Sequence, residues 1–436
     1  MTNTASPFHW GTTVARRRGS AYVFVLGISL IVTVLGMGAL TLSRVSGKAT
    51  GQGNDWEAAG DLACSATEHA ISYINAAAAV SPSTWRSAFT SRQTAFTQTM
   101  GRGSFSWALK DEVDGNLSED YLRPFRVYGI GTVGSVTRIY SVQVIPAGTP
   151  LDVLRTALHS NSTVTLTGNA QAVNGPISSN STVSLSGNVN GAIEALSTTG
   201  TAQGTQTITA PAPVKAMPST TIFNDLQQNA TVINYSSLDS GSLQNSLLSS
   251  TSNPYGTPNP YGIYAISMSG NQTLQITNCR IVGTLLITAP NKDNIQVQGP
   301  IEWEPSSGGY PILLISGSKC QVTIAGNPTW LSESACETNF DPPGTPYQGQ
   351  TDTDTIDDYP PQYRGIIHIM GGSSSTVQLS ANTYISGTLI ADCPITTTAE
   401  CTLIQNPAIY ANPPLGYATG NAMAEVPGSW RWDTLP

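Results

Sequence analysis

Residues 160–169 read SNSTVTLTGN and residues 179–188 read SNSTVSLSGN. Eight of the ten positions are identical, the other two exchange Thr for Ser, and the offset is 19 residues. Within each copy the apolar residues alternate, Val164 with Leu166 and Val183 with Leu185, and a Gly-Asn pair closes the run. Period-2 apolar positions bounded by turn residues are strands with one buried side. Strands returning about every 20 residues are the mark of a solenoid, in which one coil cannot bury its apolar side but a stack of coils can.

Working outward, the same texture continues. STVQLS recurs from Ser375, and Gly283-Thr284-Leu285-Leu286 recurs as Gly387-Thr388-Leu389-Ile390. Further strand-like runs are Ile263–Met268, Ile281–Ile287, Ile295–Val297, Ile312–Ile315, Val322–Ile324, Ile366–Ile369, Val377–Leu379 and Tyr384–Ile390. Only nine of the residues 151–300 are Asp, Glu, Lys or Arg, so exposed positions there are hydroxyls and amides. Turn asparagines are placed to hydrogen-bond from coil to coil. The expectation is a parallel β-helix over 151–410, with insertions at 211–262 and 328–365 and a capping tail at 411–436. The first insertion carries a helix pattern around Phe223–Asn229. A β-sandwich with coincidental repeats is the alternative.

The other decisive segment is near the start. From Gly19 to Ser43 the chain has 25 residues without a charge, after Arg16, Arg17 and Arg18. A bilayer core needs about 20 apolar helical residues, whereas a signal-peptide core has about 7–15. The segment therefore reads as a spanning helix, preceded by a basic leader at 1–18. The arginines place the N-terminus in the cytoplasm. The bulk is then periplasmic or at the cell surface, with the protein a single-pass inner-membrane protein. Residues 19–436 carry 16 Lys/Arg against 27 Asp/Glu. That acidic excess excludes a phosphate-binding surface, so no nucleic-acid partner is expected.

Residues 44–82 continue as a helix outside the membrane. Gly47, Gly51 and Gly53 are expected to loosen or break it. Ala59, Ala63, Ala66, Ala70 and Ile74 then form one face suited to close packing, and Ser81-Pro82 ends the pattern. Residues 83–150 read as a small antiparallel β region. Phe105, Trp107 and Leu109 share a face, and Asp111-Glu112-Val113-Asp114-Gly115-Asn116 carries a hairpin turn.

The order Arg-Arg-Arg-Gly-Ser-Ala-Tyr followed by an uncharged helix resembles the PilX-type N-terminal segments of type IV pilus minor pilins and related pseudopilins. The resemblance implies cleavage between Gly19 and Ser20, a helical spine, and a small pilin-like α+β region. It also implies partnership with other pilin-like subunits and with the platform of a pilus or type II secretion machine. Counted from Ser20, the fifth position is Phe24, where major pilins carry Glu. A minor, tip-located or priming subunit tolerates that exchange. A plain signal anchor is the alternative. The pairing of such an N-terminus with repeats resembles pilin-like β-solenoid proteins of planctomycete-type bacteria.

Site chemistry is sparse. The four histidines are isolated, and there is no HExxH, CxxC or P-loop. Gly129–Gly134 sits among strands, out of register with a dinucleotide fingerprint. Of six cysteines, sequence separation favours Cys320 with Cys336 and Cys393 with Cys401 as disulfides, leaving Cys64 and Cys279 free; exported proteins permit such bonds. Asp352, Asp354, Asp357 and Asp358 crowd one loop and suit calcium, or else a solvated acidic loop. No other cofactor is expected. Glu302 and Glu304 flank Trp303 on one strand. With Asp357, Asp358 and Arg364 they are the candidates for a polysaccharide lyase or glycosidase site. Trp303, Trp330, Tyr255 and Tyr261 are the candidates for a glycan-binding adhesin surface. The reading favoured is a non-enzymatic, membrane-anchored assembly protein.

Overall fold

The computed structural model describes residues 18–80, 96–111, 117, 124–146, 148–306, 310–414, 416–419 and 423–434. The leader 1–17 and most of the 111–116 turn lie outside them.

The first element, α1 (Arg18–Val80), is one unbroken helix of 63 residues, about 95 Å long at 1.5 Å per residue. The expected break at 46–54 is absent. Each helical Gly costs about 1 kcal/mol relative to Ala. Helix propagates cooperatively from the strong segments on both sides, and that cost does not interrupt it. The helix runs to Val80, and the expected stop at Ser81-Pro82 lies outside the described residues.

The second half of α1 packs on an antiparallel sheet of β1 (Phe96–Met100), β2 (Gly103–Lys110), β3 (Phe125–Val133) and β4 (Val136–Pro146), in that order. The alanine face is the contact: Ala59, Ala63, Ala66, Ala70 and Ile74 are fully buried. The sheet meets it with Gly129 and Gly131, where an added Cβ would lie 2.1 Å from the carbonyl oxygens of Ala63 and Ala59 respectively. Those glycines pair in register with Trp107 and Phe105. Large aromatics fill the space beside a contact where helix and strand backbones touch. The reach of β2 thus follows its alternation, with Phe105, Trp107 and Leu109 all buried.

Residues 411–436 are not simply a cap for the coils. Met423–Glu425 and Arg431–Trp432 pair antiparallel with β4 and complete the small sheet. Asn75 on α1 exchanges hydrogen bonds with the Met423 backbone. The Arg138 guanidinium lies between the rings of Trp56 and Trp432, 4.2 and 3.4 Å from their centroids. The chain leaves this head at about residue 150 and returns at about 418, where Thr149–Pro150 pairs with Ala418–Thr419. The β-helix is an insertion into the head.

The β-helix has three parallel walls built from 20 short strands. The 19-residue repeat is what it looked like: Val164, Thr165 and Leu166 sit in register with Val183, Ser184 and Leu185 on the adjacent coil. Asn180 donates to Asn161 Oδ1 at 2.9 Å, one rung of the expected asparagine ladder. A second rung joins Asn278 to Asn245. The interior is a column of aliphatics, among them Leu158, Ile177, Ile193, Ile266, Leu285, Ile287, Leu313, Ile315, Ile367 and Leu389, all buried.

Coil order departs from chain order. The first coils, 158–200, stack one way and end at Gln206–Thr209. The chain then passes along the outside through the helix Thr221–Gln227 and starts again at the far end with Thr231–Ile233. From there each coil adds inward until Leu389, Ile390 and Ala391 pair with Leu158, His159 and Ser160. Much of the expected 211–262 insertion is therefore wall: Thr231–Ile233 and Ser242–Leu248 are strands of it. Likewise the second insertion ends by Pro361, because Gln362–Gly371 is a wall strand.

One outward column is also apolar: Ala265, Leu286, Leu314, His368, Ile390 and His159 follow in register. Leu151, Val153, Leu154, Ile222, Phe223, Leu226 and Tyr417 cover it. His368 Nδ1 meets the Tyr417 hydroxyl at 3.1 Å and His159 Nδ1 meets Ser178 Oγ at 2.7 Å. Burial holds the His368 imidazole down to about 3. Burial, with the Lys215 charge behind it, holds His159 down to about 4. Unfolding frees both to take up protons below about pH 6.5. The unfolded chain therefore binds more protons in that window, and stability falls as pH drops from about 6.5 towards 4, by at most about 1.4 kcal/mol per unit per histidine. Denaturant titrations at pH 7 and pH 4.5 should show the loss, and His159→Gln should make it shallower.

Candidate functional site

Two regions bear on function: the free half of α1, and the excursion between Ala325 and Gln362.

From Ala21 to Asn54 every residue of α1 is exposed. Tyr22, Val23, Phe24, Leu26, Leu30, Ile31, Val34, Leu35, Leu40 and Leu42 stand free, and the most apolar stretch has a mean hydropathy of 2.5. Among the described residues this is the one helix long and apolar enough to cross a membrane. Gly19 and Ser20 lie in its first turn. An uncharged helix, apolar on all sides, is stable only in lipid or against other helices. The next half is anchored to the head, so the bare half and the packed half belong to one continuous helix.

The excursion leaves one wall of the β-helix, folds over it and is fixed by charge. Arg280 and Glu302 are in register on adjacent coils, both fully buried. Glu304 and Arg364 lie beside them. Arg280 Nη1 donates to the carbonyls of Phe340 at 2.6 Å and Thr345 at 3.0 Å. Its Nη2 donates to Glu304 Oε1 at 2.8 Å and to the Pro346 carbonyl at 2.8 Å. Its Nε faces Glu302 Oε2 at 3.5 Å. Arg364 Nη2 donates to Glu302 Oε1 and, at 2.9 Å, to Glu304 Oε2. Burial and then the Glu304 charge push the Glu302 carboxyl up to about 7, against the pull of both arginines.

The structure thus brings Glu302, Glu304 and Arg364 together, as the glycosidase reading required, but puts them to a different use. Each carboxylate is tied to arginines; Glu302 is fully buried and Glu304 half-buried. Asp357 and Asp358 are elsewhere on the excursion. Trp303, expected on a binding surface, points inward, is fully buried, and donates from Nε1 to the Gly283 carbonyl at 3.1 Å. Alternation decides this: if Glu302 and Glu304 face out, Trp303 faces in. Tyr255 and Tyr261 are half-buried, and Trp330 alone of the four is well exposed, at 59%.

The acidic loop is regrouped. Glu333, Asp352 and Asp357 each place a carboxylate oxygen within 4.8 Å of the others. Glu333 accepts from the Phe340 N–H and the Tyr359 hydroxyl on Oε1 and from the Asp357 N–H on Oε2. Asp354 and Asp358 stay outside this group. Asp354 accepts from the Ile356 N–H, and Asp358 is exposed on a two-residue strand against Ser332. Glu333 and the adjoining Asp341 were not singled out from sequence, since they precede the Asp run by 19 and 11 residues with no ligand-like spacing.

All six cysteines are free thiols. The expected pairs are not formed. Cys320 lines the β-helix interior, whereas Cys336 belongs to a separate apolar cluster beneath the excursion. Cys393 and Cys401 belong to one coil but fall on different sides of it: Ser160 Oγ bonds the Cys393 carbonyl, and Cys401 pairs in register with Thr383 and Ala170. Neighbours in sequence travel around the perimeter, so short separation does not bring thiols together. Burial pushes the Cys279, Cys393 and Cys401 thiols up to about 12, which keeps them unreactive.

No protein-family model and no curated protein matches the sequence. Among solved structures the chain is similar to the ice-binding protein_1 DUF3494 domain of Shewanella frigidimarina, at 13% identity over 60% of this chain and 98% of that one, with a TM-score of 0.26. It is also similar to the competence-associated pilin ComZ from Thermus thermophilus, at 11% identity over 86% of this chain and 97% of that one, with a TM-score of 0.25. Neither superposition is close enough to carry an argument.

Proposed function

We propose that this chain is a membrane-anchored structural subunit of the pilin type, a minor pilin or pseudopilin that carries a β-helix outside the inner membrane. The observation behind the reading is α1 itself, one continuous helix of 63 residues whose first half is bare and apolar and whose second half is welded to the head. A plain anchor needs no rigid coupling between span and ectodomain. A subunit that is drawn from a bilayer and packed by its helix against neighbours does. The partners are other pilin-like helices and the assembly platform, and the reading assigns no catalytic residue. Burial of Glu302 and the arginine pairing of both Glu302 and Glu304 support that assignment.

A glycan-binding stalk is the second reading, and it rests on the exposed Trp330. Glycan-array binding that disappears in Trp330→Ala would favour it.

The deciding measurement is N-terminal sequencing of the protein from native membranes. Cleavage after Gly19, with Ser20 as the first residue and the protein still membrane-bound, is the expected result. An uncleaved N-terminus makes the helix a signal anchor and removes the pilin class.

A further inference from the structure

Between Gly19 and Asn54 the bare half of α1 carries two charges, Arg44 and Lys48, both basic and about one turn apart. Glu57 and Asp61 repeat that spacing with the opposite charge, on the side of the helix that the sheet leaves uncovered. All four are exposed. The neighbouring Asp55 is paired with Arg102, but among the described residues none of the four belongs to an ion pair. Like charges four residues apart on a helix repel. Each pair therefore costs its own helix something, and an opposite pair on another chain relieves both.

The two pairs are thirteen residues apart, Arg44 to Glu57 and Lys48 to Asp61. One continuous helix carries both. Thirteen residues is then an axial step of about 20 Å, and it leaves the acidic pair about 140° round the axis from the basic one. Within one chain the pairs face nearly opposite ways and cannot meet. A second, parallel copy shifted by the same step sets its Glu57 and Asp61 level with Arg44 and Lys48, and both contacts form at once. Gly51 lies three residues past Lys48 on the same face, so a second helix approaches there without meeting a side chain.

We propose that Arg44 and Lys48 of one copy pair with Glu57 and Asp61 of a second, parallel copy displaced by about 20 Å along the helix axis. This pairing rests on the reading above that α1 packs against neighbouring helices, and it names the neighbour and the register. Apolar helix surface supplies the attraction. Exposed ion pairs add little affinity; they fix alignment and partner instead. The contact joins two different patches and advances along the axis, so it cannot close into a ring and repeats as an open array. It also excludes two copies at rest in one flat bilayer. Residues 19–43 are about 37 Å long as a helix, against an apolar core of about 30 Å, and that slack is smaller than the step. The contact belongs to copies drawn out of the membrane.

Carbodiimide coupling in cells that make the full chain tests this, because the reagent joins a lysine amine to a carboxylate only where the two touch. Lys48 and Asp61 of one chain lie about 20 Å apart along the helix. A cross-link from Lys48 to Glu57 or Asp61 therefore joins two copies. Mass spectrometry of the coupled multimers should find those peptide pairs, and liposomes holding the purified chain should give little of them. Arg44→Glu/Lys48→Glu should cut co-isolation of two differently tagged copies at least tenfold, because like charges then meet. Adding Glu57→Lys/Asp61→Lys to that chain should restore co-isolation with itself and not with the wild type. Absence of both cross-links from cells overturns the proposal. So does coupling of Lys48 between copies only to other carboxylates, an equal yield in liposomes, or co-isolation indifferent to the charge reversal. The wild-type cross-link needs no variant, so it decides the matter even where a variant misfolds. A Ser20 start without the cross-links overturns the register and leaves the pilin reading standing. An intact N-terminus with them removes the pilin class and leaves the pairing standing.

Discussion

Arg280→Met should destabilise the β-helix by about 3–5 kcal/mol, the range for removing one partner from a buried ion pair. Arg280 is fully buried and serves four acceptors beyond Glu302: Glu304 and the carbonyls of Phe340, Thr345 and Pro346. Removing it leaves Glu302 buried with Arg364 alone and strips three excursion carbonyls of their donor. Denaturant unfolding should show the loss. Limited proteolysis should show where it starts, with cleavage between 328 and 361 ahead of the coils. Arg280→Lys should recover only part, since an ammonium cannot reach both carboxylates and the carbonyls in one planar fork. Arg280→Met/Glu302→Met should recover more than Arg280→Met alone, because no orphaned charge remains. Equal stability of Arg280→Met and wild type would mean the excursion is held by its apolar contacts.

The second large effect is expected at the seam between helix and head. A valine at 131 would put Cβ about 2.1 Å from the Ala59 carbonyl oxygen and 2.6 Å from the Ala63 nitrogen. Both obstacles are backbone, so no side chain can move aside. Overpacking usually costs about 1–3 kcal/mol, and Gly131→Val should lie at or beyond the top of that range, because relief requires lifting the helix off β3. The predicted signature is protease cleavage within 55–80 and a separate early melting transition, with the β-helix transition unchanged. Gly131→Ala, which adds the clashing Cβ but no branches beyond it, should be milder than Gly131→Val. A head that tolerates Gly131→Val would show that α1 is held elsewhere, by Asn75 and Arg138.

What could be read from sequence is what is local and periodic. The SNSTV repeats fix adjacent coils because a rung reports its own neighbour through alternation and turn residues alone. The 25 uncharged residues after three arginines mark a helix long and apolar enough to cross a membrane. The alanine row predicts a close backbone contact, though not that Gly129 and Gly131 would be its other half. Tertiary structure alone decided everything that joins distant segments. Coil 383–404 closes on coil 158–173 although more than 200 residues separate them, because an open coil edge gains by pairing with whichever matching edge the chain can deliver. The same holds for the C-terminal strands on β4 and for Arg280 with Glu302. It holds too for Glu333 and Asp341 beside the Asp loop, and for thiols that a coil's perimeter keeps apart. Periodicity records which side of a strand is buried. It carries no record of what comes to lie over that side, because burial favours any apolar or charge-matched cover, and only the closed fold determines which one arrives.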